Sequence, residues 1–191
     1  MKKFKITKNT SVIVLLSGGI DSSACVQYYL KNGFSTSAVF IDYEQLPVKM
    51  EESSAKKICS YYNIRLSTIR VNGPEYCKKV EIKGRNAIFV LLALMFYPKH
   101  VGIISLGIHS GTPYYDCTEN FSNDIKNILN GYSNGQIRFE APFLKWNKKM
   151  IYDYCKLQKI PVELTYSCEI GINGPCGECP SCKDRSNFNV S

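Results

Sequence analysis

Apolar residues never run for long in this chain. The longest such stretch, Ala87 to Tyr97, is 11 residues and cannot span a bilayer. The amino-terminal run Val12-Ile13-Val14-Leu15-Leu16 is too short for a signal peptide, so a cytoplasmic protein is expected. Basic residues form no block beyond Lys2, Lys3, Lys5 and Lys8, which read as a solvated fringe rather than a nucleic-acid arm. Histidine is restricted to His100 and His109. The first follows a Pro-Lys turn and should be exposed; the second, at a strand end, suits a cleft and a loop equally. No Gly-Lys-Ser/Thr follows the first glycines, which excludes the Walker loop. There is no internal repeat, no low-complexity segment and no linker before about Pro161.

What is present describes an ordinary globular domain. A chain of 191 residues, 45% apolar and 21% charged, can bury a sizeable core as one domain. Its net charge of +8, from 24 Lys and Arg against 16 Asp and Glu, suits polyanionic ligands such as ATP and tolerates RNA. Nine cysteines would suggest disulfides in a secreted chain, but nothing marks secretion and the number is odd. Four of them crowd one carboxy-terminal segment, which is a metal pattern.

Strand and helix signals alternate, which predicts a parallel sheet covered by helices on both faces. Val12–Leu16 reads as a buried strand closed by Ser17-Gly18-Gly19. Ser22 or Ser23 can cap the following helix, and Gly33 suits its end. A strand, a glycine turn and a helix amino terminus make an anion site, because unpaired N–H groups and the positive dipole end converge there. Further strands are expected at 35–41 ending at Asp42, at 64–71, at 101–108 and at 137–143. Pro47 should start a second helix, with an irregular loop from Asn72 to Lys83. Ala87 to Tyr97, apolar all round, should be a buried helix stopped by Pro98. A helix is expected over 120–129, and Asn147 should cap another through Met150, Ile151, Tyr154 and Leu157. Ligands of open parallel sheets lie beyond the carboxyl ends of the strands, where strand order reverses. The strand ends here are Ser17, Asp42, His109 and Phe143.

Cys168, Cys176, Cys179 and Cys182 are spaced C-x7-C-x2-C-x2-C, with Gly174, Pro175, Gly177 and Pro180 supplying turn chemistry. Four thiolates suit a structural zinc ion, while the spacing also admits an iron–sulfur cluster; zinc is the expectation. Lys183 and Arg185 would offset the charge of a tetrathiolate. Cys25, Cys59 and Cys155 lie in helical patterns and read as packing residues. Cys117, past the fourth strand, either lines the cleft or packs, and no partner base is visible for it.

Ser17-Gly18-Gly19-Ile20-Asp21-Ser22 resembles the PP-loop of ATP pyrophosphatases, which split ATP between its α and β phosphates. With the tail residues Thr165, Ser167, Cys168, Cys176, Gly177, Cys179, Cys182 and Arg185, it resembles the 7-cyano-7-deazaguanine synthase family. Asp42-Tyr43 with Gln45, Gly84-Arg85-Asn86, Tyr115-Asp116-Cys117 and Asn147-Lys148 after Pro142 extend the resemblance from about Val12 to Asn187.

The resemblance implies a doubly wound, Rossmann-like five-stranded parallel sheet of the PP-loop type. It implies a PP-loop domain over 1–164 and a zinc-binding segment over 165–191 packed on it. The implied reaction is ATP-dependent amidation of 7-carboxy-7-deazaguanine, with dehydration to the nitrile used for queuosine. A carboxylate attacks the α-phosphate of ATP, pyrophosphate leaves, and an amine displaces AMP. The loop with Ser17, Gly18, Gly19, Asp21, Ser22, Ser23 and Asp42 would bind ATP. Asp21 would orient the loop or a magnesium ion, and Arg85 and Lys148 would meet the carboxylate or the α-phosphate. Tyr115, Asp116, Thr165 and Ser167 would receive the acid; the competing reading makes Asp116 a helix cap and Tyr115 a core aromatic. The family tends toward dimers, with no membrane and no stable nucleic-acid partner expected.

The chain departs from the family pattern in places. Gln45 is followed by Leu46-Pro47 where the family commonly has Arg-His, and the region from Val71 to Gly84 is shorter. The segment after the fourth strand lacks the family's acidic residue, and Glu169 stands where a Tyr is usual. These changes leave the amine donor open. Ammonia is one, and a protein amine, as in relatives associated with antiviral defence, is another. A tRNA-thiolating PP-loop enzyme would want an RNA-binding extension for which this chain has no room.

Overall fold

The computed structural model describes residues 10–73, 82–97 and 102–188. Five strands, β1 (Ser11–Leu15), β2 (Ser35–Asp42), β3 (Leu66–Arg70), β4 (Ile103–Leu106) and β5 (Arg138–Glu140), form one sheet. Their order is β3-β2-β1-β4-β5 and every pairing is parallel. The chain winds outward from β1 through β2 to β3, returns to β4 beside β1, and ends on β5. Strand order therefore reverses between β1 and β4, which opens a crevice beyond their carboxyl ends.

Among the described residues five helices cover the sheet, α1 (Ile20–Lys31), α2 (Val48–Tyr61), α3 (Arg85–Phe96), α4 (Glu119–Ser133) and α5 (Lys148–Gln158), and a sixth, α6 (Pro180–Asn187), belongs to the carboxy-terminal segment. The alternation of side chains along β1 sorts the core into two layers. Val12 and Val14 join Ala24, Tyr29, Ile58 and Ile151 on the face of α1, α2 and α5. Ile13 and Leu15 join Val90, Ala93, Phe121 and Ile125 on the face of α3 and α4. Both faces are buried, which is why β1 reads as a continuous apolar run.

Several elements differ from expectation. The apolar helix was expected to be buried, but only one side of α3 is: Val90 and Ala93 are fully covered, whereas Ile88, Met95 and Phe96 are more than half exposed. Composition reports how apolar a helix is, and the sheet can cover only the stripe that faces it. Neither Ser22 nor Ser23 caps α1; the cap is Gly19, with no side-chain bond. Gly33, at φ +78°, does end that helix. β5 is only three residues, with Pro142 beyond it, and α4 runs four residues past Leu129 to Ser133. Asn147 caps α5 as expected, its side chain accepting from the Met150 N–H at 3.0 Å. Most of the loop between Gly73 and Ile82, Cys77, Pro98, His100 and the start of the expected fourth strand at Val101 lie outside the described residues, as does the basic fringe.

Candidate functional site

The turn from β1 into α1 is built on two close approaches. Gly18 has φ +84°, and a Cβ there would lie 2.5 Å from the Glu51 carbonyl oxygen at the start of α2. Gly107, after β4, would carry its Cβ 2.6 Å from the Asp21 carbonyl oxygen, so glycine lets β4 run against the first turn of α1. Gly19 is extended at φ −81°, ψ 170° and meets only ordinary contacts. As the first turn of a helix, Ile20, Asp21 and Ser22 have N–H groups with no intrahelical acceptor, at the carboxyl end of β1.

The hydroxyls around this turn are unequal. Ser17 is exposed, takes the Gly19 N–H at 3.3 Å and lies 3.1 Å from the Ser22 hydroxyl. Ser23 is fully buried, and both its hydroxyl (2.8 Å) and its N–H (3.0 Å) donate to the Gly19 carbonyl. The expected phosphate contact at Ser23 is therefore corrected: that residue fixes the loop from inside. Asp42 ends β2, where it accepts the Glu44 N–H at 3.1 Å and faces Arg70 at 3.6 Å.

Asp21 and Lys148 meet across the crevice. Lys148, at the first position of α5, donates to both Asp21 carboxylate oxygens, at 2.9 and 2.7 Å, and sits 5.9 Å above the Tyr152 ring. The structure adds His109, which the sequence left between cleft and loop. Its Nε2 is 3.9 Å from Asp21 Oδ2, and its Nδ1 accepts the Gly111 N–H at 3.0 Å. Burial pulls the imidazole below its ordinary value of 6.5, Asp21 opposing this and Lys148 assisting it. A histidine held neutral in the fold but free to protonate when unfolded destabilises the fold in acid. Stability should fall as pH drops below about 6.5, and the fall should be shallower in His109→Gln. Thermal unfolding of both proteins between pH 7.5 and 5 checks this; parallel curves would remove His109 from the acid response.

Arg85 opens α3 after Gly84, bonds the Tyr43 hydroxyl at 3.4 Å and lies over Phe89, and its Nε is buried without a partner. Beside it is Glu51, which sequence reasoning missed. Burial pushes its carboxyl up to about 7 against the Gln45 amide, bonded at 2.8 Å, and the nearby Arg85. Tyr115 is exposed rather than core: its hydroxyl donates to Asp124 and its ring packs edge-on against Phe121. Asp116 is not the cap of α4; Thr118 is, accepting the Phe121 N–H at 3.2 Å. Half-buried Cys117 lines a cleft of about 360 Å³ with Ser110, Thr112 and Lys145 among others.

The carboxy-terminal segment seats on the glycine turn. The Tyr166 N–H donates to the Gly18 carbonyl at 2.9 Å, and Ser167 Oγ lies 3.5 Å from where a Cβ on Gly19 would be. Thr165 does not face the crevice with its hydroxyl, which donates to Val162 O and accepts from Arg185 at 2.8 Å. Thr165 and Arg185 thus tie α6 to the short turn at Val162–Leu164, which corrects the expectation that the Thr165 hydroxyl meets substrate.

The sulfurs of Cys168, Cys176, Cys179 and Cys182 all lie within 4.8 Å of one another. Backbone N–H groups already point at them. Gly171 and Cys176 donate to Cys168 at 3.1 and 3.2 Å, and Glu178 and Cys179 donate to Cys176. Burial alone would raise the Cys168 thiol, but these donors hold it down to about 6. Gly171 is required, since a Cβ there would lie 1.9 Å from the Gly174 carbonyl. The four side chains fit a metal ion.

A glycine turn at the switch point of this parallel sheet, with a lysine–aspartate pair across it, places the chain among α/β proteins of PP-loop-like fold. The U34-tRNA thiolase NcsA from Methanococcus maripaludis, solved with its 4Fe-4S cluster, shares the fold at a TM-score of 0.57 and 14% identity, over 95% of this chain and 65% of that one. The family described as queuosine biosynthesis protein QueC matches residues 11–79 and 72–189, and the chain belongs to that family of ATP-dependent carbon–nitrogen ligases. Two relatives named 7-cyano-7-deazaguanine synthase are similar along most of their length. One, from Picrophilus torridus, is 31% identical over 91% of this chain and 84% of its own. The other, from Aquifex aeolicus, is 30% identical over 93% and 95%. No helix among the described residues is long and apolar enough to cross a membrane.

Proposed function

We propose that the chain adenylates the carboxylate of a deazaguanine acid, 7-carboxy-7-deazaguanine, and passes the acyl group to ammonia, releasing pyrophosphate and AMP. The observation that carries this reading is the crevice itself: unpaired N–H groups of the first turn of α1, with Lys148 and Asp21 facing each other across them. Donors fixed in advance where charge develops need no protein nucleophile. The amides of Ile20, Asp21 and Ser22 and the Ser17 hydroxyl meet the departing pyrophosphate. Lys148 leaves Asp21 for the α-phosphate, and Arg85, whose Nε has no partner, takes a carboxylate or phosphate oxygen. Asp21 holds the loop or a magnesium ion. The acid lies toward Asp116 and Ser167, with its ring on the surface that Tyr115 offers.

The ion on the cysteines is zinc in this reading. A tetrahedron with metal–sulfur bonds of about 2.3 Å puts its sulfurs about 3.8 Å apart. Cys176 and Cys182 are 3.9 Å apart, which suits one ion. Four thiolates leave zinc no open position, so its contribution is to fold residues 165–191 as a segment on the PP-loop domain.

Incubation with ATP and 7-carboxy-7-deazaguanine, with and without ammonia, tests the proposal by mass spectrometry of the small molecules. AMP and a new amide or nitrile are expected; release of inorganic phosphate without AMP would contradict it. Within the same assay, Asp116→Ala should lower turnover on the order of a hundredfold, about what loss of a well-placed polar contact costs. ATP binding should persist in that variant. Full adenylation activity in Asp116→Ala would move the acid elsewhere.

A further inference from the structure

We propose that His109 is a positioning residue for nucleotide binding: its Nε2–H takes over the Asp21 carboxylate when a phosphate oxygen draws Lys148 away. This rests on the reading above, in which ATP phosphates occupy the glycine turn. Lys148 and Asp21 form a neutral pair in the crevice, and a phosphate competes for the lysine. Once the lysine turns to the nucleotide, the carboxylate stands uncompensated beside incoming negative charge, which costs affinity unless another donor holds it. His109 is the donor in place. Its Nε2 lies 3.9 Å from Oδ2, the same oxygen that Lys148 approaches to 2.7 Å. A shift of about 1 Å brings it to hydrogen-bonding distance.

Two further features hold that nitrogen ready. The Gly111 N–H is bonded to Nδ1, so a neutral imidazole carries its proton on Nε2, the side that faces Asp21. That bond needs a glycine, because a Cβ at position 111 would lie 2.9 Å from Nδ1 and 3.0 Å from Cε1. The side chain is 10% exposed, and burial favours its neutral form. A neutral donor can steady the carboxylate without competing with Lys148 for phosphate. The short turn after β4, which lacks the acidic residue usual in the family, is thereby shaped around one imidazole.

Titration of the full chain with magnesium and ATP, without any deazaguanine, reads the step directly, and steady-state kinetics separate KM from kcat. His109→Ala should weaken ATP binding and raise the KM for ATP about tenfold, the loss of one hydrogen bond to a charged group, with kcat within about twofold. His109→Gln places an amide N–H in reach of Asp21 and should recover most of that loss. Gly111→Ala, which displaces the ring, should behave like His109→Ala. A purely structural role for the ring would show as equal loss in the Ala and Gln variants. That outcome overturns the proposal, as does His109→Ala binding ATP like the wild type. If the wild-type chain itself binds no ATP, the functional reading fails and this inference fails with it.

Discussion

Gly19→Val is expected to abolish ATP binding and AMP release while leaving thermal unfolding within a few degrees of wild type. The two glycines of the turn serve different ends, and the geometry separates them. Gly18 sits at φ +84° against the Glu51 carbonyl, so any side chain there must displace α2. Gly19 sits at φ −81°, ψ 170°, a region β-branched residues favour, and its nearest neighbours stand 3.4 to 3.6 Å from an added Cβ. The fold therefore accepts valine at 19. The ligand does not, because Gly19 precedes the unpaired N–H groups of α1, and two added methyls occupy the path by which phosphate oxygens reach them. Calorimetric titration with ATP and a pyrophosphate-release assay check this. Wild-type affinity in Gly19→Val would remove the phosphates from the turn.

The sheet was legible because β1, β4 and the carboxyl half of β2 are buried on both faces. Val12–Leu16 and Val39–Ile41 carry runs that no half-exposed strand would, and the glycine turn and helix after β1 fix the first crossover. Strand β5 was overestimated, since Ile137, Phe139 and Phe143 are all buried yet only residues 138–140 reach the ladder with β4. Hydrophobicity reports burial, not pairing. The exposed side of α3 was invisible for a related reason, because a helix apolar all round does not say which stripe the sheet will cover.

Within the site, motif spacing brought out the glycine turn and the four cysteines, both local patterns in which a few adjacent residues carry the geometry. Asp21 and Lys148 were named separately, but their pairing joins residues 127 positions apart and follows only from α5 packing beside α1. His109 was undecided because one histidine at a strand end carries no pattern. The signals that could have helped were Gly107 and Gly111 on either side of it, each a glycine where a Cβ would collide. Glu51 escaped notice because an acidic residue in the first turn of a helix is ordinary. Its burial comes from Gly18, whose lack of a side chain lets α2 press onto the loop.

Cys179→Ser should lower metal content, lower the melting temperature and weaken ATP binding. Cys179 belongs to the four-cysteine cluster and is also the amino-terminal cap of α6. Serine is among the best caps, so the substitution keeps the helix start and removes the metal ligand alone. Zinc held by four thiolates contributes folding free energy directly, and losing even about 3 kcal/mol of it shifts the midpoint of a domain this size by roughly 10 °C. The effect reaches the crevice through backbone. The segment that carries Cys168 also supplies the Tyr166 N–H bonded to Gly18 O and the Ser167 side chain against Gly19. When the centre loosens, the glycine turn loses a fixed hydrogen bond and the wall beside it. Elemental analysis should find about one zinc per wild-type chain and little in the variant, with the affinity for ATP lower in parallel. Iron with acid-labile sulfide in the wild type would replace zinc with a cluster, and a metal-free variant with unchanged ATP affinity would uncouple the two sites.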